Sequence, residues 1–271
     1  MTAAAMAKPR TSIPVKSIVL PIEHGSWGFL LEPIALGLIL APSLPAVFIT
    51  ITVVGAFLTR QPLKFLIADL RQGRRLPRTE IAQRYGLIFA GVAALGLVGT
   101  LLTAPLASLV PLAAAVPLAG YVMLQDAARQ SRELVPEILA AVALSASTAA
   151  IVAAGGGSWP IALSMWGIML ARLVPSIVYV RSRLRLEKGK EFSRLPSIVL
   201  HVAAAAAAAG FFAYGTGPFL TVAMMALLLG RSIVGLSPIR VPAKAKQIGI
   251  EEVAYGVLTV LSVVFGFYFK I

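Results

Sequence analysis

Glu32 and Arg172 are charged residues that lie well inside long apolar stretches of this 271-residue sequence. A charge in the interior of a bilayer costs at least about 2.5 kcal/mol on insertion scales, and such residues are usually paired or functional. Because their charges are opposite, we expect Arg172 to be the partner of Glu32. The pair would either hold a polar ligand near the middle of the membrane or act as a structural ion pair that fixes helix register.

Other polar residues lie near the ends of the apolar stretches, and their types suggest proton transfer and anion binding. Glu23, His24 and Asp126 are candidates for handling a proton or orienting an acceptor; His24 is equally a candidate for a hydrogen-bonded helix-entry residue. Guanidinium groups bind phosphate oxygens in a bidentate manner. The candidates for substrate binding are Glu32, Arg60, Lys64, Arg129, Glu137, Arg172 and Arg181. The alternative for each cation is a role in topology and in attraction to anionic lipid headgroups.

The composition places these residues in a membrane protein. The chain is 58% hydrophobic and only 13% charged, whereas a soluble domain is about 25% charged. Its net charge of +13 would suggest nucleic acid in a soluble protein, but here it is interpreted through membrane topology, and no nucleic-acid partner is expected. The absence of Cys excludes disulfides, thiolate metal ligands and thiol nucleophiles.

Charged clusters and Pro or Gly breaks divide the chain into nine apolar segments. A spanning helix needs about 20 mostly apolar residues, and the continuous apolar runs lack the alternation of a membrane barrel. The sequence therefore predicts an all-α bundle of about nine transmembrane helices. The predicted spans are Gly25 to Ala41, Pro45 to Thr59, Tyr85 to Thr103, Leu106 to Leu124, Leu134 to Ala154, Trp159 to Val180, Pro196 to Ala213, Pro218 to Gly235 and Glu252 to Phe269.

The connections between these spans alternate between uncharged and basic. Of the 24 Lys and Arg residues, only Lys270 falls on the side opposite the basic connections. The positive-inside rule then predicts a cytoplasmic N-terminus, an external C-terminus and a multi-pass membrane location. The ionisable groups gather in the predicted cytoplasmic half, which predicts a water-filled cavity open to the cytoplasm. Residues 1–22 are expected to form a cytoplasmic or interfacial arm, and residues 23–271 a single transmembrane domain.

Several motifs resemble those of the YwiC-like family of bacterial membrane proteins. The most specific is the run from Pro21 to Pro33 (PIEHGSWGFLLEP). Similar stretches are Arg60 to Leu63 (RQPL), Arg132 to Glu137 (RELVPE) and Tyr179 to Arg185 (YVRSRLR). Together these motifs extend over most of the chain from residue 21 onwards. The resemblance implies a location in a bacterial cytoplasmic (inner) membrane, but the family name implies no established activity.

A more distant resemblance is to the UbiA superfamily of intramembrane prenyltransferases. The segment from Asp69 to Arg78 (DLRQGRRLPR) is similar to the end of that superfamily's first loop motif. The resemblance implies nine helices, cytoplasmic loops after helices two and six, and a cavity for a prenyl diphosphate. It also implies Mg²⁺ bound by several aspartates, but here the first loop keeps only Asp69 and the second has no Asp. Asp69 is thus the candidate metal ligand, the missing aspartates weaken the case for Mg²⁺, and any other cofactor is unknown.

These observations suggest three alternative functions. The first is a UbiA-like transferase that acts on a lipid or prenyl diphosphate, with membrane lipids and an isoprenoid or similar lipid as its partners. The second is a proton-coupled transporter or permease that uses Glu32 and Arg172. The third is a non-catalytic membrane assembly partner that retains an ancestral scaffold.

Overall fold

The computed structural model describes residues 14–21, 24–128 and 133–271, with only the backbone of His24 described. Within these ranges all regular structure is helical, which confirms the predicted all-α class. The helices are α1 (Val15–Val19), α2 (His24–Leu40), α3 (Leu44–Arg71), α4 (Pro77–Thr103), α5 (Val110–Ala127), α6 (Leu134–Ala154), α7 (Trp159–Glu187), α8 (Leu195–Ala213), α9 (Phe219–Gly235) and α10 (Ala245–Phe269).

Each predicted span overlaps one of the helices α2 to α10, in chain order. The bounds of α6 are those predicted for the fifth span, and a short 3₁₀ turn, Leu106–Leu109, precedes α5. Seven helices of the described chain are long and apolar enough to cross a membrane, whereas α2 and α9 have 17 residues each. Leucines of α4 such as Leu95 and Leu102 are 73% and 80% exposed, so they are suited to contact with membrane lipids.

The basic connections are more helical than the sequence predicted. The second span was expected to end at Thr59, but α3 continues to Arg71, and α4 begins at Pro77. Likewise the sixth span was expected to end at Val180, but α7 continues to Glu187. Arg, Lys, Gln and Leu are good helix formers, so a cluster of cations marks where a helix leaves the apolar layer and not where it ends. The turn after α3 contains Gly73 at a φ of 61°, a left-handed conformation that favours glycine.

Helix α6 lies at the centre of the packing. Its Ile151 and Ala150 pack in a buried cluster with residues of α2 and α3. Its Ala149 and Val152 belong to a second cluster with residues of α2, α7, α8, α9 and α10. The short helix α1 packs on α3 and α4, where the Gln61 side chain donates a hydrogen bond to the Ser17 carbonyl at 2.8 Å. This arrangement brings polar residues of α2, α3, α6, α7 and α10 to neighbouring positions inside the bundle.

Candidate functional site

Arg172 of α7 joins two other helices through charged contacts. Its side chain is 2% exposed, and its Nε lies 3.5 Å from Glu32 Oε2 on α2, which confirms the predicted ion pair. Its Nη1 lies 3.2 Å from Glu252 Oε2 on α10, and its Nη2 donates to the Glu252 carbonyl at 2.8 Å. Sequence reasoning missed Glu252 because it lies 80 residues from Arg172 at the edge of the last predicted span.

Arg231 of α9 extends this arrangement into a charged network. It forms an ion pair with Glu252, and its guanidinium carbon lies 4.3 Å from the Tyr179 ring centroid and 4.5 Å from that of Tyr255. Cations attract the faces of aromatic rings, most strongly where water is excluded. The order Glu32, Arg172, Glu252, Arg231 alternates in charge, so the network as a whole is neutral and ties four helices together.

The Glu32 carboxylate occupies a notch between two glycines. A Cβ added at Gly28 would lie 3.4 Å from Oε1, and one at Gly256 would overlap the carboxylate and lie 3.0 Å from Oε2. Oε2 is buried and accepts no hydrogen bond from the described residues. Its contact with Arg172 is therefore ionic only. A buried polar atom without a hydrogen-bond donor is uncommon and calls for an explanation such as a bound proton, water or ligand.

The notch gives a direct test of the Glu32 position. We expect Gly256→Ala to lower the free energy of unfolding by about 1–3 kcal/mol, because the added methyl group displaces the carboxylate from Arg172. Unfolding by sodium dodecyl sulfate in mixed micelles measures the change. Gly249→Ala on the same helix is the matched control, since a Cβ there meets no atom within 4 Å. In a Glu32→Ala background Gly256→Ala should be tolerated; an equal loss in both backgrounds would contradict this assignment.

Arg60 and Asp126 form a second ion pair, between α3 and α5. Arg60 Nη2 donates to Asp126 Oδ1 at 2.9 Å, and Nε contacts the other carboxylate oxygen. The Asp126 side chain is 1% exposed and that of Arg60 is 20% exposed. The predicted proton-handling role of Asp126 thus falls on a carboxylate that already forms a bidentate pair with a guanidinium.

Arg181 and Glu137 form a third pair, in a more exposed position. Arg181 Nη1 lies 2.8 Å from Glu137 Oε2, and both side chains are about one-third exposed. Lys64 lies on α3 one turn after Arg60 but lines none of the cavities described below. Glu23 and Arg129 lie outside the described residues, and only the backbone of His24 is described, at the start of α2. Their predicted roles stay predictions.

The surroundings of Asp69 do not suit Mg²⁺. Arg78 Nε donates to Asp69 Oδ2 at 3.0 Å, Thr79 Oγ1 donates to the same oxygen at 2.8 Å, and a second Arg78 nitrogen contacts Oδ1. Mg²⁺ needs a near-octahedral set of oxygen ligands, and in the described part of the chain no three acidic or His residues group as ligands. Asp69 instead closes the turn between α3 and α4 through its bonds to Arg78 and Thr79.

Three adjoining cavities connect these charged groups. The basic cavity, of about 610 Å³, is lined by Arg60, Glu137, Arg181, Arg185 and Lys190 among others. The deep pocket, of about 200 Å³, is lined by Glu32, Glu137, Arg172 and Glu252 and shares Gly25, Phe29, Glu137 and Val180 with the basic cavity. The apolar groove, of about 240 Å³, lies between α3, α5 and α6 and shares Arg60 and Ala140 with the basic cavity. Five of the candidate residues therefore line neighbouring cavities, namely Glu32, Arg60, Glu137, Arg172 and Arg181.

The helical bundle, its lipid-exposed apolar residues and its internal charged network define an integral, multi-pass membrane protein. Residues 20–152, just under half of the chain, match the family model described as YwiC-like protein, so this segment is similar to the YwiC-like family. The match contains the PIEHGSWGFLLEP run as well as Arg60, Asp126 and Glu137. No curated protein and no solved structure matches the chain. The resemblance to the UbiA superfamily is not shown by these comparisons.

Proposed function

We propose that this protein binds a lipid with an anionic headgroup in the basic cavity, with a prenyl diphosphate as the leading candidate ligand and prenyl transfer as the candidate activity. In this proposal the nine apolar helices α2 to α10 all cross a bacterial inner membrane, the N-terminus is inside, and the cavity opens to the cytoplasm, as the distribution of Lys and Arg predicts. The UbiA-like arrangement is part of the same proposal.

The excess of positive charge in the basic cavity is the observation that carries this proposal. Among the described residues, Arg60, Arg181, Arg185 and Lys190 line the cavity together with one carboxylate, Glu137. Arg60 and Arg181 have acidic partners, but no carboxylate of the described residues forms an ion pair with Arg185 or Lys190. Two cations therefore remain to attract an anionic group, and guanidinium and ammonium groups are common ligands of phosphate.

Prenyl transfer at this site needs charge stabilisation at the leaving group. The bond between C1 of the prenyl chain and the bridging oxygen breaks, and the diphosphate leaves with the electron pair. The acceptor forms a new bond to C1 and loses a proton to a base, for which Glu23, His24 and Asp126 are the proposed residues. The arginines and Lys190 would stabilise the negative charge that develops on the diphosphate.

Removing the charges of Arg185 and Lys190 tests the proposal. We expect Arg185→Ala/Lys190→Ala to lower the amount of anionic lipid that copurifies with the protein by about tenfold, because about 1.4 kcal/mol of charge attraction is lost. Native mass spectrometry with lipidomics measures the bound lipid. Lys188→Ala/Arg194→Ala is the matched control, since it removes the same charge from the same connection outside the cavity lining. Equal lipid in both variants would contradict the proposal and favour a non-catalytic assembly partner.

A proton-coupled transporter is the second candidate function. It is supported by the buried Glu32 Oε2 atom, which lacks a hydrogen-bond donor among the described residues and belongs to a side chain that lines the deep pocket. Protonation of Glu32 would weaken its attraction to Arg172 and change the charge of the network. Uptake by proteoliposomes that is driven by a proton gradient and abolished in Glu32→Gln would favour this function over the first.

A further inference from the structure

The apolar groove runs along the helix axes and ends at the basic cavity. On α3 its lining extends from Thr52 to Arg60, which is about 12 Å at 1.5 Å per residue. On α5 it extends from Leu112 to Met123. Arg60, at one end of this lining, is also one of the cations that line the basic cavity. A molecule that occupied both spaces would have its charged end at Arg60 and its apolar part along the groove.

The size of the groove limits what it can hold. Its volume is about 240 Å³, and a water-sized group occupies about 30 Å³ in a liquid. The groove therefore holds about eight carbon-sized groups in single file over its length of about 12 Å, and the rest of a longer chain extends beyond it into the lipid. Small side chains keep it open, namely Ala56, Ala115, Ala119, Ala140 and Ala143. Two hydrocarbon chains side by side exceed this space.

We infer that the groove holds the hydrocarbon chain of a single-chain anionic lipid whose headgroup lies in the basic cavity. This inference rests on the proposed function and names the class of its ligand: one chain, isoprenoid or straight, and not the two chains of an ordinary phospholipid. Arg60 lies where headgroup and chain meet. Ala56 and Ala119 are exposed, so the groove is open along its side, and the chain enters from the surrounding lipid.

Filling the groove while leaving the basic cavity intact tests the inference. Binding of three probes to the purified full chain is measured: farnesyl diphosphate, inorganic diphosphate and dioleoyl phosphatidic acid. The parent protein should bind farnesyl diphosphate about tenfold more tightly than either other probe. Ala56→Leu/Ala119→Leu should remove this preference and leave the affinity for inorganic diphosphate unchanged. That unchanged affinity also shows that the variant is folded.

Exposed alanines outside the groove provide the matched control. Ala94→Leu/Ala114→Leu adds the same volume to α4 and α5 at exposed positions that do not line the groove, and it should keep the parent's preference. A filled-groove variant that still prefers farnesyl diphosphate would overturn the inference, as would tighter binding of phosphatidic acid by the parent. In both cases headgroup binding persists.

Failure of the proposed function gives a different result from failure of this inference. In that case Arg185→Ala/Lys190→Ala leaves diphosphate binding unchanged, or no probe binds the parent protein at all.

Discussion

Arg172→Met is expected to lower the free energy of unfolding by about 3–5 kcal/mol, the loss seen when one partner of a buried ion pair is removed. Arg172 is 2% exposed and contacts the carboxylates of Glu32 and Glu252 as well as the Glu252 carbonyl. Met fills a similar apolar volume but leaves two carboxylates with less compensating charge. The loss is therefore electrostatic and does not come from an emptied core.

Unfolding by sodium dodecyl sulfate in mixed micelles, followed by tryptophan fluorescence, measures this effect. Arg240→Met is the matched control, because Glu187, its partner at 3.2 Å, keeps a second ion pair with Arg183, so no carboxylate is left unpaired and the expected loss is only about 0–1 kcal/mol. Adding Glu32→Gln and Glu252→Gln to the Arg172→Met variant should recover part of the loss, since no unpaired charge then remains. Similar stabilities for Arg172→Met and Arg240→Met would show that the network is not a structural element.

Gly96→Leu is expected to lower the free energy of unfolding by about 3 kcal/mol or more, because it forces α3 and α4 apart. A Cβ at Gly96 would lie 2.6 Å from the backbone nitrogen of Thr52. A Cβ at Gly55 would lie at the same distance from the backbone nitrogen of Ala93. Small residues permit close packing of membrane helices, and backbone atoms cannot move aside as the end of a flexible side chain can.

The neighbouring Gly91 gives the control for this prediction. It lies on α4 at an exposed position, and a Cβ there meets no atom within 4 Å. Gly91→Leu should leave the stability of the protein unchanged or raise it slightly, since Leu favours the helical state over Gly. Equal losses for Gly91→Leu and Gly96→Leu in the same unfolding assay would mean that α3 and α4 do not pack through these glycines.

The sequence by itself was sufficient for the class of protein and for the position of its apolar helices. A shortage of charge and runs of about 20 apolar residues require a bilayer, so the bounds of α6 followed directly from the residues. The pairing of Glu32 with Arg172 also followed, because a charge in an apolar span needs a partner and few opposite charges lie at that depth. The ends of α3 and α7 were predicted too early, at the start of basic connections, since Arg and Lys do not interrupt a helix.

Only the tertiary structure decided which groups meet across long sequence distances. Glu252 and Arg231 complete the network around Arg172, Asp126 pairs with Arg60 from 66 residues away, and Asp69 is held by Arg78 and Thr79. The physical reason lies in the solvent. Lipid tails are as apolar as leucine, so an apolar side chain has a similar free energy whether it faces the membrane or another helix. The hydrophobic pattern therefore does not reveal which face of a helix points inward. The rotation and contacts of each helix depend on close packing and on the pairing of polar groups, which exist only once the helices are assembled.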